Sequence, residues 1–208
     1  KLYHDLEGFV NNMIKSMIFA VEAKDIYTRG HSERVCNICM CIAKQIALEE
    51  EEKNILTWAS ILHDVGKIGV PEFILNKQGP LFDDEYNIIK EHPERGYNIL
   101  QPIVQLKDAL VGILHHHERY DGSGYPHGLK GEEIPLISRI IAVADTFDAI
   151  TSNRAYRPAK GKKEALAILD KVVGIQLDPY LVSVLKKICK KDIDFGEKVQ
   201  AFHVGVSV

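Results

Sequence analysis

One short stretch, residues 62–67 with the sequence Leu-His-Asp-Val-Gly-Lys, constrains this chain more than any other. It ends an apolar helical run, so an imidazole and a carboxylate stand together where burial without a partner is costly. A divalent metal ion would satisfy both side chains, because Asp64 could bridge two ions while His63 binds one of them. Lys67 follows three residues later and could reach a phosphate beside the metal. The alternative is that His63 only caps the helix C-terminus and Asp64 is solvated.

The bulk composition excludes several classes of function. With 46% apolar residues among 208, the chain can form a large core, and its net charge of -3 gives no support for binding a nucleic-acid polymer. We find no apolar run as long as a membrane span and no signal-peptide pattern, so we expect a soluble, cytoplasmic protein. Because residue 1 is a lysine, we expect the chain to be a piece of a longer protein.

The cysteines are expected to be structural. Three of the four, Cys36, Cys39 and Cys41, fall within six residues of one predicted helix, and the fourth is Cys189. A Cys-x-x-Cys pair is found in metal and redox sites, but no second pair completes a zinc site here. Cysteine is also a common small core residue, which is the interpretation we adopt.

Apolar residues recur at three- and four-residue steps along most of the chain, which predicts an all-α bundle. The expected helices span residues 1–24, 33–47, 52–63, 84–91, 94–100, 106–117, 136–151, 162–173 and 178–191. We expect Ser32 to cap the second of them. The helix at 136–151 is apolar on most sides, so it should be central.

The same pattern suggests three parts. Residues 1–24 form an N-terminal helix, which we expect to pack on the domain, with a role as a linker or dimerisation helix as the alternative. The domain itself covers residues 25–191. A tail follows at 192–208, where weak alternation could produce one short strand.

Histidines and aspartates stand at the ends of the predicted helices or interrupt them. His31 precedes one helix, and His92 comes before a proline, where a helix is expected to end. Another helix ends in three consecutive histidines, residues 115–117, which cannot all face one way because helical neighbours are about 100° apart. Asp145 and Asp148 interrupt the central helix on one side, and such carboxylates are rarely buried without a partner.

Together these positions supply five imidazoles and two carboxylates, without a thiolate. They are His31, His63, Asp64, His92, His116, His117 and Asp145. A mixed nitrogen and oxygen set of this kind suits iron, manganese, zinc or nickel at a site of two or more ions, and does not suit calcium. Lys67, Arg154 and Arg157 add positive charge without adding ligands, which favours an anionic substrate such as a phosphodiester.

Five ordered motifs make the chain resemble the HD-GYP family, a branch of the HD phosphohydrolase superfamily. They are Tyr27-Thr28-x-Gly30-His31-Ser32, His63-Asp64-x-Gly66-Lys67-Ile68-Gly69, Lys90-Glu91-His92-Pro93, His116-His117-Glu118-Arg119-x-Asp121-Gly122-x-Gly124-Tyr125-Pro126, and Ala144-Asp145-x-Phe147-Asp148-Ala149-x-Thr151-Ser152-x-Arg154-x-Tyr156-Arg157. A bare His-Asp pair is weak evidence for a family, whereas five motifs in family order are specific.

The resemblance implies an HD-domain helical bundle and a phosphodiesterase that hydrolyses cyclic di-GMP to pGpG, GMP or both. By resemblance, the seven side chains named above are metal ligands, Asp64 bridges two ions, and Lys67 holds a phosphate oxygen. The catalytic group is thus His63, Asp64 and Lys67. The substrate's guanine and phosphate groups would be bound by Lys67, Gly124, Tyr125, Asp148, Arg154 and Arg157. His115 and His127 match no ligand position.

The resemblance also implies two firmly held divalent ions, with iron or manganese ahead of nickel or zinc. Some family members hold a third ion through a glutamate four residues before the first histidine, and that position is Tyr27 here, so a third firmly held ion is not expected. Two ions bridged by Asp64 would lower the pKa of a bound water, and the resulting hydroxide would attack phosphorus in line.

Two alternatives stay open at this point. The first is an HD phosphohydrolase that acts on another nucleotide, and the second is a receptor that binds a cyclic dinucleotide with little turnover. A purely structural helical module does not explain seven potential ligands at matching spacings. For partners beyond cyclic di-GMP, we expect a sensor or receiver domain upstream of Lys1, and a homodimer remains an open alternative.

Overall fold

The computed structural model describes residues 2–25, 30–153, 158–191 and 195, and this part of the chain is a bundle of α-helices without a strand. The helices are α1 (Leu2–Lys24), α2 (His31–Gln45), α3 (Glu50–Leu62), α4 (Glu72–Leu75), α5 (Asp83–Lys90), α6 (His92–Leu100), α7 (Leu110–His115), α8 (Leu136–Thr151), α9 (Lys162–Val172) and α10 (Pro179–Lys191). Short 3₁₀ turns lie at Val65–Gly69, Val104–Ala109 and Gly131–Glu133. The predicted all-α fold is confirmed, and the strand predicted within 192–208 lies outside the described residues.

Helix α8 runs through the centre of the main core. Its Ile140, Ile141, Val143 and Phe147 are almost completely buried, and they pack among apolar side chains of α2, α3, α9 and α10. A helix that is apolar on most sides can bury more than one face, and α8 does so. The predicted central position of this helix is confirmed.

A second apolar cluster joins α1 to the bundle. Ile14 and Val21 of α1 are buried there together with Ile61 and Val65, which flank the His-Asp pair in sequence. The C-terminal half of α1 therefore packs on the domain, as the sequence favours. No helix in the described part of the chain has both the length and the apolar character needed to cross a bilayer.

The start of α2 differs from its prediction. The helix begins at His31, so Ser32 lies inside its first turn and does not cap it, and the residue before the helix is Gly30 with a φ of 68°. The Glu22 carboxylate performs the capping role instead, because it accepts the N–H groups of Gly30 and Ser32 at 2.8 and 3.2 Å. A residue distant in sequence has replaced the local cap that the pattern suggested.

Two further boundaries differ, and both affect histidines. The expectation that a helix ends at His92 is wrong, because α6 begins there. Proline is tolerated in the first turn of a helix, where its missing N–H has no intrahelical partner. The predicted helix at 106–117 is divided into a 3₁₀ turn and α7, which ends at His115. His116 and His117 therefore lie beyond the helix, where the 100° spacing no longer separates them.

The cysteines have the structural environment that the sequence suggests. All four are free, and Cys36, Cys39 and Cys189 are buried. Burial raises the pKa of the Cys36 thiol to about 11 and that of Cys39 well above its usual range. Buried thiols that are protonated at neutral pH are poor nucleophiles and poor metal ligands.

Candidate metal centre

The seven predicted ligands come from separate helices and converge on one place. Their ligand atoms form two sets, each with all atoms within 4.8 Å of one another, namely Asp64, His92, His116 and His117 in one set and His31, His63 and Asp145 in the other. Most of these residues sit at a helix end, and Asp145 lies within α8. The bundle thus brings together side chains that are far apart in the sequence.

The Asp64 carboxylate lies between the two sets. Its Oδ1 is 3.3 Å from His92 Nε2, whereas its Oδ2 is 3.4 Å from His63 Nε2 and 3.7 Å from His31 Nε2. In addition, Asp145 Oδ1 is 3.3 Å from His31 Nε2. Two atoms that each bind one ion at about 2.1 Å are about 3.0–3.5 Å apart, so most of these distances suit ligands that share an ion. One oxygen directed at each set is the arrangement of a bridging carboxylate.

Hydrogen bonds at Nδ1 orient the imidazole rings. His63, His92 and His116 each pair through Nδ1 with the backbone carbonyl three residues earlier, at distances of 2.6, 2.7 and 2.6 Å. His31 Nδ1 pairs instead with Asp148 Oδ2 at 2.8 Å. A proton held on Nδ1 leaves the Nε2 lone pair free. Histidines that bind metals are commonly oriented in this way by a carbonyl or carboxylate behind the ring.

Burial sets the charge of several of these groups. It lowers the pKa of His92 to about 3 and holds the pKa of His116 and His117 well below the usual range, so these rings are neutral, as a metal ligand must be. Burial alone would lower the pKa of His31, but Asp148 and Asp145 raise it. Positive charge is therefore favoured between His31 and the carboxylates, and a bound cation would supply it.

Lys67 lies against the bridging carboxylate. Its Nζ is 2.7 Å from Asp64 Oδ2 and 3.8 Å from Asp25 Oδ2. Burial would lower the pKa of Lys67, but the two carboxylates raise it, so the ammonium stays charged. In turn, burial would raise the pKa of Asp64, but Lys67 and His63 hold it well below its usual range. The pair thus provides one fixed cation beside a carboxylate that remains ionised.

Asp148 lies behind His31 and not in an open pocket. It is 2% exposed, and its carboxylate accepts hydrogen bonds from His31 Nδ1 at 2.8 Å, from Arg34 Nε at 2.7 Å and from Ser152 Oγ at 3.1 Å. Burial would raise its pKa, but the bonds from His31 and Arg34 lower it to about 2. The expected contact between Asp148 and a substrate is not supported by this placement, because the carboxylate is already engaged. It is placed to orient the His31 ring.

The glycine-rich loop packs over the histidines, as the proximity of Tyr125 shows. The Tyr125 ring stacks on His117, with centroids 4.9 Å apart and planes at 26°, and the Tyr125 N–H donates to the His117 carbonyl at 3.3 Å. A Cβ on Gly124 would lie 2.2 Å from the Arg119 nitrogen, so the close approach of the loop to this backbone requires glycine. Gly124 therefore positions Tyr125, whatever else it contacts.

Glu118 supports the same loop from inside. The residue is 3% exposed, and its two carboxylate oxygens accept the N–H groups of His127 at 2.8 Å and Leu129 at 3.1 Å. A cavity of about 320 Å³ opens beside the loop and the ligands. Its polar wall is formed by His116, His117, Arg119, Asp145, Thr146 and Gln176. Pockets of this size bind small molecules.

Some residues escaped the sequence reasoning, and others cannot be placed. The reasoning missed three charged residues that support the ligands: Glu22 at the start of α2, Asp25 beside Lys67, and Arg34 on Asp148. A signal was present for Arg34, which lies one turn after His31 in a helix whose inner face is apolar. The predicted substrate-binding residues Arg154 and Arg157, and Tyr27, lie outside the described residues, so the roles assigned to them stay predictions.

Comparison with known proteins agrees with this geometry. A cyclic di-GMP phosphodiesterase response regulator, RpfG of Xanthomonas campestris, is 46% identical over 185 residues, which are 88% of this chain and 49% of that protein. A 3'3'-cGAMP-specific phosphodiesterase of Vibrio cholerae is 41% identical over 80% of this chain and 36% of that protein. The chain thus spans about half or less of the length of these relatives.

Structural similarity and a family model lead to the same assignment. The crystal structure of a cyclic GMP-AMP-specific phosphodiesterase of Vibrio cholerae superposes with a TM-score of 0.66 over 90% of this chain and 53% of that one, at 24% identity, which indicates a shared fold. A family model for the HD domain matches residues 15–181. This chain therefore belongs to the HD domain family, and within it to the HD-GYP type.

Proposed function

We propose that this chain is the catalytic domain of a metal-dependent phosphodiesterase that hydrolyses cyclic di-GMP to pGpG, GMP or both. The observation that carries this proposal is the Asp64 carboxylate, which directs Oδ1 toward His92 and Oδ2 toward His63 and His31. That arrangement supports a site for two ions. The substrate is suggested by the cyclic di-GMP phosphodiesterase named among the relatives.

The donor set fits divalent transition metals. Residues in the proposed ligand role are His31, His63, Asp64, His92, His116, His117 and Asp145. Imidazole and carboxylate ligands suit iron, manganese, nickel or zinc, and we propose iron or manganese. When bound, the ions would polarise a phosphodiester oxygen and lower the pKa of a water molecule.

The chain's own side chains then have separate tasks. Lys67 is buried, charged and adjacent to Asp64, so it is placed to contact a phosphate oxygen and to stabilise the negative charge that develops there. Asp148 holds His31 through Nδ1, which keeps Nε2 directed at the ions. Burial raises the pKa of Tyr125, so its hydroxyl remains protonated and able to donate a hydrogen bond to the substrate.

A second candidate substrate, 3'3'-cGAMP, is favoured by one observation. The Vibrio cholerae relative whose name specifies that dinucleotide is 41% identical to this chain, close to the 46% of the cyclic di-GMP relative. The two dinucleotides differ in one purine. Both share the phosphodiester that the metal centre and Lys67 would act on.

The test combines elemental analysis with a turnover assay on anaerobically prepared protein. We expect about two transition-metal ions per chain and hydrolysis of cyclic di-GMP faster than that of 3'3'-cGAMP or cyclic di-AMP. In His63→Ala and Asp64→Ala, hydrolysis should be abolished and bound metal depleted. The control is Lys186→Ala, which removes an exposed ion pair with Asp170 and should change neither quantity.

Three outcomes would contradict the proposal. Full activity in both the His63 and Asp64 variants would exclude the assigned ligands. Binding of cyclic di-GMP by the metal-loaded protein without turnover would favour the receptor alternative. Faster hydrolysis of 3'3'-cGAMP would replace the substrate while retaining the reaction.

A further inference from the structure

We propose that this chain has a separate divalent-metal site, formed by His115, Glu118 and His127, which we call the loop site. Their ligand atoms lie within 4.8 Å of one another. His115 Nδ1 is 3.6 Å from Glu118 Oε1, and the rings of His115 and His127 are 5.1 Å apart between centroids. None of the three belongs to the proposed catalytic ligands.

The His115 ring supplies an independent reason to expect a ligand. Its Nδ1 is buried and has no hydrogen-bond partner, since 3.6 Å to Glu118 exceeds hydrogen-bonding distance. Among the described residues, the only other buried side-chain nitrogen or oxygen without a partner is Asn76 Oδ1. Buried polar atoms in native proteins are usually satisfied, so an ion that binds this nitrogen would remove a real deficit.

Glu118 is held in a position from which it could bind such an ion. Its side chain is fully buried, and the His127 and Leu129 N–H groups fix its two oxygens. A carboxylate oxygen can accept more than one bond, so Oε1 keeps the capacity to bind a metal. His127 is exposed and provides the way in from solvent. Two imidazoles and one carboxylate suit zinc, nickel or copper, and zinc is the ion we propose.

The position of the loop site indicates what a bound ion would do. His115 is the last residue of α7, whereas His127 lies in the loop, two residues after Tyr125. An ion held by both would connect the end of α7 to the loop that stacks on His117. It would add a crosslink outside the catalytic centre and would take no part in the reaction.

The experiment measures zinc stoichiometry by equilibrium dialysis and elemental analysis of the whole chain. Compared with the unmodified chain, His127→Ala and His115→Ala should each bind one zinc ion fewer. The matched control is Glu132→Ala, which removes an exposed acidic side chain near the same loop and should bind the full number. His127 is exposed, so its replacement should leave folding intact, and circular dichroism checks this.

The result is a difference between variants, so it does not depend on how many ions the catalytic centre holds. It therefore remains informative even if the proposed phosphodiesterase activity is not found. Equal zinc binding by His127→Ala and the unmodified chain would overturn the loop site. The same conclusion would follow if the ion lost in His127→Ala also abolished hydrolysis, because that ion would then belong to the catalytic centre.

Discussion

At the scale of single residues, Asp148 separates a positioning role from a substrate-binding role. Because its carboxylate holds His31 and Arg34, Asp148→Asn should weaken metal binding about 10–100-fold, as loss of a partner behind a metal ligand commonly does. The KM for cyclic di-GMP should change little. Metal titration and steady-state kinetics measure the two effects. A higher KM with unchanged metal affinity would instead restore the substrate contact that the sequence suggests.

Gly66 illustrates a residue whose importance is steric. A Cβ at this position would lie 1.9 Å from the His92 carbonyl oxygen and 2.6 Å from the Gly96 nitrogen, so Gly66→Ala must push the turn after Asp64 away from α6. We expect a loss of about 1–3 kcal/mol in the free energy of unfolding, or more. Denaturant unfolding measures the loss.

The matched control for Gly66 is Gly8→Ala. Gly8 lies in α1, where a Cβ would have nothing within 4 Å, and alanine is the better helix former. This variant should unfold at the same denaturant concentration as the unmodified chain or at a slightly higher one. Equal stability of the two variants would show that the contact between the turn and α6 can relax without cost.

At the scale of elements, a buried ion pair connects α8 to the start of α10. Arg139 Nη1 is 2.6 Å from Asp178 Oδ2, and Arg139 Nε also donates to the Ile134 carbonyl at 2.9 Å. The other oxygen of Asp178 accepts the N–H groups of Tyr180 and Leu181 at 2.7 and 3.2 Å, which caps α10. One carboxylate therefore positions a helix that closes the main core.

Asp178→Ala should therefore be strongly destabilising. It leaves Arg139 partly buried without its ion-pair partner and removes a helix cap, for a combined loss of about 3 kcal/mol or more. Asp178→Asn keeps an oxygen that can cap α10 and should lose less. Thermal unfolding distinguishes them, with Lys186→Ala as the control, because an exposed pair contributes about 0–1 kcal/mol. Similar losses in the alanine variants of Asp178 and Lys186 would contradict this account.

At the scale of the whole molecule, α1 reaches the metal centre through its last turn. Glu22 holds the start of α2, which carries His31, and Asp25 lies beside Lys67. Lys24 Nζ donates to the Ile68 carbonyl at 2.6 Å, directly after the His-Asp motif. The division of the chain at residue 25 stays a prediction, but the contacts show that α1 and the ligands are mechanically joined.

Glu22→Ala tests this connection. Two N–H groups at the start of α2 would lose a buried acceptor, so we expect a stability loss of about 1–3 kcal/mol. Because His31 moves with that turn, bound metal and the rate of hydrolysis should fall together. Elemental analysis and the turnover assay measure both, with the exposed Glu51→Ala as control. Unchanged metal content and activity in a destabilised Glu22 variant would limit the role of α1 to packing.

Much of the fold and of the ligand set was predictable because the relevant signals are local. Helical periodicity identified α8 as central, and the chemistry of imidazoles and carboxylates at helix ends identified His31, His63 and Asp145 as ligand candidates. Local signals failed where a distant residue made the decisive contact. Ser32 lost the capping role to Glu22, and Asp148 was directed toward His31 and Arg34 and away from the pocket.

The amino-acid sequence alone determined the helical class, the approximate helix positions and the chemical type of the metal ligands, because periodicity and side-chain chemistry are properties of neighbouring residues. Only the tertiary structure decided which oxygen of Asp64 meets which histidine, which group orients each ring, and how α1 joins the site. These features depend on distances between residues far apart in the chain. Packing of the whole bundle sets those distances, and no local pattern encodes them.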